Sequence, residues 1–242
     1  MALQAVQDPW MTIGPEPSGG VDSDLPTLQR TELSQRRRLR VGLISDTHIP
    51  EARAELWPQV FSTFEDVDVI LHGGDIHDLV VLDQLAELAP VYAARGNGED
   101  GSGGRAMAPD DPRLRYSWLL DLAGIRVGLT HDLPVPEHPP RLTVECWKQR
   151  RFATDDVDVI VYGDSHVERI DVVGSTLCVN PGSPTYPHNL QTQLGTLGFL
   201  EIDGDRVHAS IWQLTDGASV PVALLDQTVA ITPDASRSSD TE

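Results

Sequence analysis

Asp46 and His48 stand two positions apart at the end of the apolar run "VGLI", within the stretch "VGLISDTHIP" of residues 41–50. A carboxylate and an imidazole presented together where a buried strand stops can grip a cation or move a proton. The pattern recurs along the chain. Later apolar runs end in Gly74-Asp75, in Gly96-Asn97, in His131, and in Asp164 with His166. Each ending offers oxygen or imidazole nitrogen on a short loop, and glycine lets such loops turn without a Cβ clash. The set suits hard or borderline divalent ions and exceeds what one tetrahedral ion takes, whereas two ions sharing a carboxylate would use all of it.

Each of these residues also has a bland reading. Asp46 could cap a following helix, Gly74-Asp75 is common turn chemistry, Asn97 could be a left-handed turn residue, and His131 could be a core histidine bonded to backbone. Five strand ends in succession, all carrying ligand types, argue against coincidence. His72 and His77 flank Asp75; the first is expected on the packed side of its strand and the second at the start of a helix.

Side chains so far apart need a scaffold that brings strand ends together, and the hydrophobic periodicity predicts one. Residues 40–45 and 67–75 read as strands, 51–64 as a proline-interrupted helix, 78–89 as a helix and 90–95 as a strand. Strand, helix, strand implies a parallel, buried sheet whose C-terminal strand ends line a crevice. The glycines after Arg95 mark a long loop reaching to about residue 113. Hairpins are expected at Ala123-Gly124, Gly174-Ser175 and Asp203-Gly204-Asp205, with a helix over 141–152 and a strand running into "GDSH".

Composition bounds the setting. With 242 residues, 40% of them hydrophobic, the chain has enough apolar surface for one catalytic-sized domain. The 37 acidic residues against 18 basic ones give a net charge of −19, which works against wrapping nucleic acid or resting on anionic lipid and favours small molecules or a local cationic centre. Cys146 and Cys178 are too few for a disulfide framework and are read as buried filler in a reducing compartment. No secretory leader or membrane-length apolar run is visible, so a cytoplasmic location is expected; a homo-oligomer is left open. Residues 1–38 read as a loose arm, with "RRRLR" at 36–40 as a solvated edge, 39–215 as the domain, and 216–242 as an extension with a frayed tail.

The order and spacing of "DTH", "HGGD", "RGN", "LTH", "GDSH" and "NPGS" over residues 39–213 resemble the calcineurin-like metallophosphoesterases, above all the small bacterial and archaeal phosphodiesterase branch that includes the retromer small subunit. The resemblance implies an α/β fold, a four-layer α/β/β/α sandwich of two mixed sheets, with two metals at the strand ends. It implies that Asp46, His48 and His166 hold the first ion, that Asp75 bridges, and that Asn97 and His131 hold the second. Asp75 and Asn97 are the residues it marks as catalytic. The family's Gly-His-Thr-His stands here as Gly163-Asp164-Ser165-His166, so Asp164 takes the place of a histidine that completes the second site. Three aspartates against two divalent ions leave about +1 rather than about +2, which lowers the pull on phosphate and moves the preference from zinc toward manganese or magnesium. Manganese is the expected ion, with magnesium, nickel or zinc as alternatives. Asp132, where relatives have glycine, either orients His131 or repels an anionic substrate. The histidine that larger relatives carry after the asparagine is Gly98 here, so no leaving-group acid is evident. His188 and Arg95 are candidate contacts to substrate phosphate.

The leading reading is therefore hydrolysis of phosphoesters, phosphodiesters foremost, by a hydroxide activated between two divalent ions about 3.5–4 Å apart. The alternative is a non-catalytic protein-binding scaffold on the same fold. Retention of Asp46, His48, Asp75, Asn97, His131 and His166 favours the first, and the change at Asp164 is what the second would cite.

Overall fold

The structure, a computed structural model, describes residues 25–189 and 194–231. The chain runs through β1 (Leu28–Arg30), β2 (Arg38–Ile44), α1 (Pro58–Thr63), β3 (Val69–His72), α2 (Val80–Ala86) and β4 (Val91–Ala94). It continues through β5 (Leu114–Arg115), β6 (Ser117–Leu122), β7 (Ile125–Thr130), α3 (Val144–Phe152) and β8 (Val159–Val161). It closes with β9 (Arg169–Val173), β10 (Thr176–Asn180), β11 (Thr196–Asp203), β12 (Arg206–Leu214) and β13 (Ser219–Ala230). Two mixed sheets result, ordered β1-β6-β7-β8-β10-β9 and β13-β12-β11-β2-β3-β4-β5.

Alternation along each strand sorts side chains between layers. Val41 and Leu43 of β2 enter the core between the sheets, against Val127, Leu129, Val159 and Val161. Ile44 of the same strand faces the other way, into a core shared with Val60 and Phe64 around α1 and Val81 and Leu85 of α2. On the far side Phe152 of α3 packs with Leu119, Ile160 and Cys178 of the six-stranded sheet. The order is helix, sheet, sheet, helix, the expected four-layer sandwich. Strands covered on both faces have no solvent side, which is why residues 41–44 of β2, 69–71 of β3 and the whole of β8 read as continuous apolar runs. Close approach of α3 requires glycine at 128, where a Cβ would lie 2.6 Å from Phe152 Cζ.

β2, β3 and β4 are parallel neighbours in one sheet, as are β7, β8 and β10 in the other. Their C-terminal ends meet at one edge of the sandwich, where the Asp164 N–H reaches across to Asp46 Oδ1 at 3.1 Å.

Several elements depart from the sequence reading. The helix expected over 51–64 is only Pro58–Thr63, because proline at its first position forces Trp57 into extended backbone (ψ 137) and stops the helix from starting earlier. Similarly α3 begins at Val144 rather than 141, since the Thr143 side chain accepts the Cys146 N–H and caps it there. Residues 28–35, placed in the loose arm, form β1, paired in parallel with β6, and a 3-10 turn closed by a Thr31–Ser34 capping box; Leu33 supplies the apolar anchor at 4% exposure. Residues 1–24 lie outside the described residues. In the C-terminal extension, β13 is a long strand on β12, and its alternating exposure and Pro221 mark it as a sheet edge. The tail beyond Ile231 lies outside the described residues. Cys178 is buried as expected, but Cys146 is exposed, because it sits on the outward side of α3. The 36–40 arginines lie at a solvated edge, with Arg36 on Asp68 (2.7 Å) and Arg38 on Asp203 (2.9 Å). No helix among the described residues is long and apolar enough to cross a membrane.

Candidate metal centre

The strand ends assemble one cluster of side chains. Asp75 Oδ2 lies 3.4 Å from His48 Nε2, while its Oδ1 lies 3.4 Å from His131 Nε2, so a single carboxylate faces two histidines. Asp46 Oδ1 is 3.6 Å from His166 Nε2, and Asp164 Oδ1 is 3.6 Å from His131 Nε2. Donor atoms of Asp46, His48 and His166 lie within 4.8 Å of one another, as do those of Asp46, Asp75 and His131 and those of His48, Asp75 and His77.

The imidazoles are aimed by the backbone. His131 Nδ1 donates to the Gly73 carbonyl and His166 Nδ1 to the Tyr186 carbonyl, both at 2.7 Å, which leaves each Nε2 lone pair toward the carboxylates. Glycines make room for the carboxylates: a Cβ on Gly96 would lie 2.2 Å from Asp75 Oδ1, and one on Gly163 would lie 2.7 Å from Asp46 Oδ2. Asn180, buried at the end of β10, donates to the Gly163 carbonyl (2.7 Å) and to Ser165 Oγ (3.1 Å), latching the loop that carries Asp164 and His166.

Charge and burial pull against each other here. Burial pushes the Asp46 carboxyl up to about 6 despite His131 and His166 beside it. Burial lowers the His48 imidazole to about 4. For His131 burial works in the same downward sense, but Asp46, Asp75 and Asp164 together outweigh it and hold the group at about 9. The Asp164 carboxyl is also raised, chiefly by burial. Asp46 Oδ2, His48 Nε2 and His131 Nε2 are buried with no hydrogen-bond partner. Buried polar atoms are rarely left so, and carboxylate oxygen with imidazole nitrogen is the donor set of a divalent cation. The residues fit such an ion.

Not every expected residue lies on the cluster in the same way. Asn97 sits between Gly96 and Gly98, both packed against Asp75, and its own side chain is exposed. His188 is exposed beside the site, its N–H on the His166 carbonyl at 3.2 Å. Arg95 turns its guanidinium to the Glu99 and Ala108 carbonyls (3.2 and 3.3 Å), bracing the glycine-rich loop. Asp132 neither orients His131 nor faces it: it pairs with Arg151 of α3, and Gly73 holds the imidazole instead. His72 is on the packed side, as expected; Nδ1 accepts the Gly74 N–H (3.1 Å), which assigns the proton to Nε2, 3.1 Å from Thr47 Oγ1.

Two residues escaped the sequence reading. Glu99 is fully buried, and its carboxylate accepts the N–H groups of Asp75, Ile76, His77 and Gly96 at 2.8–3.0 Å, tying the β3 and β4 loops together. No spacing marks it. His77 is not at a helix start: α2 begins at Val80, and the His77 ring lies 4.3 Å from that of His48, centroid to centroid. Its signal was available, since Asp75-Ile76-His77 repeats the Asp-x-His spacing of 46–48 and 164–166.

Fold and site together define a protein of two packed sheets with a carboxylate and histidine centre at their shared strand ends. Residues 39–205 match the calcineurin-like phosphoesterase superfamily domain, and the chain belongs to that family. It is 34% identical over 173 residues to a probable metallophosphoesterase of Methanothermobacter thermautotrophicus, covering 71% of this chain and 90% of that protein. A phosphodiesterase of Methanocaldococcus jannaschii is 24% identical over 182 residues, covering 68% and 94%. Among solved structures, Vacuolar Protein Sorting 29 from Cryptosporidium parvum superposes with a TM-score of 0.63 at 20% identity, covering 81% of this chain and all of that one, which is a likeness of fold.

Proposed function

We propose that the protein is a metal-dependent phosphoesterase acting on phosphodiesters. The observation that carries this reading is the Asp75 carboxylate, each oxygen 3.4 Å from a different histidine, beside buried Asp46, His48 and His131 atoms that lack partners. Asp46, His48, Asp75 and His166 would hold one divalent cation; Asp75, Asn97, His131 and Asp164 would hold the other. Bound there, the pair supplies Lewis-acid charge that activates water and neutralises phosphoryl oxygens. Manganese is the expected ion, on the oxygen added by Asp164.

The chain's own part is positioning. Gly73 and Tyr186 carbonyls fix the His131 and His166 rings, the Gly98 N–H fixes Asp75 Oδ1 at 2.8 Å, and Glu99 holds the backbone beneath. His188 stands at the open side as the contact for substrate phosphate. Arg95 is left out, its guanidinium being engaged within its own loop. The family name of the archaeal relatives supports a phosphoester substrate, and that of the Methanocaldococcus protein a diester.

The test is hydrolysis of bis(p-nitrophenyl) phosphate by metal-stripped protein with manganese added back. Turnover that returns with manganese, and is lost in Asp75→Asn, supports the enzyme. No turnover with any divalent ion would favour the docking scaffold.

A further inference from the structure

Resting on that metal-centre reading, we propose that His77 is an additional ligand of the cation held by His48 and Asp75, oriented for that role by Glu51. Eight non-glycine residues have positive φ among those described, and six of them are the aspartate and histidine of three Asp-x-His turns. The φ pairs are 54° and 43° at Asp46 and His48, 53° and 73° at Asp75 and His77, and 68° and 55° at Asp164 and His166. A left-handed histidine costs on the order of 1 kcal/mol and persists only where its surroundings impose it. The same uncommon geometry displays His48 and His166, so it presents His77 as the third member of a set.

Its ring is held at Nδ1, as the rings of His131 and His166 are. Nδ1 lies 2.8 Å from Glu51 Oε2, which fixes the proton on Nδ1 and leaves the Nε2 lone pair free. A carboxylate behind an imidazole is the usual support of a metal-ligating histidine and raises its basicity. Arg105 pairs with the other Glu51 oxygen, holding that carboxylate in place. Nε2 has no hydrogen-bond partner among the described residues, and the side chain is 9% exposed. Gly98 makes its room: a Cβ there would lie 2.8 Å from Nε2 and 2.5 Å from Cδ2. Donor atoms of His48, Asp75 and His77 lie within 4.8 Å of one another. The backbone of His77 already meets its structural needs through the Glu99 carboxylate and the bridge to Ile49, so the ring is surplus to them.

The two ion sites then differ in kind. One collects the imidazoles of His48, His77 and His166, which suit a borderline ion such as zinc. The other collects mostly oxygen, from Asp75, Asn97 and Asp164 with His131, which suits manganese.

The test is zinc and manganese binding, each metal alone, to the metal-stripped full chain, read as stoichiometry and affinity per site, with the thermal midpoint of the metal-free protein as a control for folding. His77→Ala is expected to weaken the tighter zinc site by roughly 100-fold and Glu51→Gln by roughly 10-fold, the cost of losing a ligand or its support. The weaker site should change little. If the parent binds two ions and both variants keep its affinities, His77 is no ligand although the metal centre stands. If the parent binds none, the centre itself is refuted and this inference with it. Should His77→Ala not fold, Glu51→Gln reads the same site without touching a ligand, and its unchanged affinity would overturn the assignment.

Discussion

At the scale of single residues, the centre depends on groups that never touch a substrate. Glu99 accepts four backbone N–H groups from two loops while fully buried. Glu99→Gln turns an amide N–H₂ toward donors that need an acceptor, and should cost about 3 kcal/mol, read as a lower denaturant midpoint at unchanged m-value. His72 makes a second prediction. Burial lowers it to about 3, so the folded chain keeps it neutral while the unfolded chain titrates near 6.5. The stability that His72 contributes is therefore intact above 6.5 and lost as pH falls from 6.5 toward 3, at about 1.4 kcal/mol per pH unit. His48, lowered to about 4, adds in the same sense in metal-free protein. His72→Gln removes only its own share, so a denaturation slope between pH 6 and 4 that stays as steep in the variant would contradict the assignment. The placement of Asp46, His48, Asp75, His131 and His166 was legible because each follows an apolar run. Glu99 and Asp132 were not, since what each pairs with is decided by chain far away in sequence.

Among elements, the strands were the most readable and their edges the least. β2, β3 and β8 announce themselves because burial on both faces demands continuous apolar residues. The helices were overestimated in length, since capping by Thr143 and the proline at 58 decide where they begin. β1 and β13 were missed because an edge strand buries only one side and tolerates polar residues and proline; β1 also draws its pairing from β6, some ninety residues on. A prediction belongs to the contact between α3 and its sheet. Gly128→Ala places a methyl group 2.6 Å from Phe152 Cζ. The variant should lose about 1–3 kcal/mol through overpacking, and equilibrium unfolding that shows no loss would mean that α3 moves aside at little cost.

For the whole molecule, charge is the governing quantity. The chain carries −19 and the proposed substrate is an anion, so the overall field opposes their encounter while the proposed cation centre would attract at close range. Added salt screens the long-range repulsion more than the buried centre. kcat/KM for a phosphodiester should accordingly rise with ionic strength up to the physiological range, and a fall with salt would mean that substrate approaches along a locally positive path. The central claim is that the ends of β2, β3, β4, β7 and β8 grip two cations about one shared carboxylate. Anomalous scattering from crystals soaked in manganese tests it most directly. The account predicts two peaks flanking Asp75, one beside His48 and one beside His131; the absence of any peak at Asp75, with manganese bound elsewhere or not at all, would contradict it.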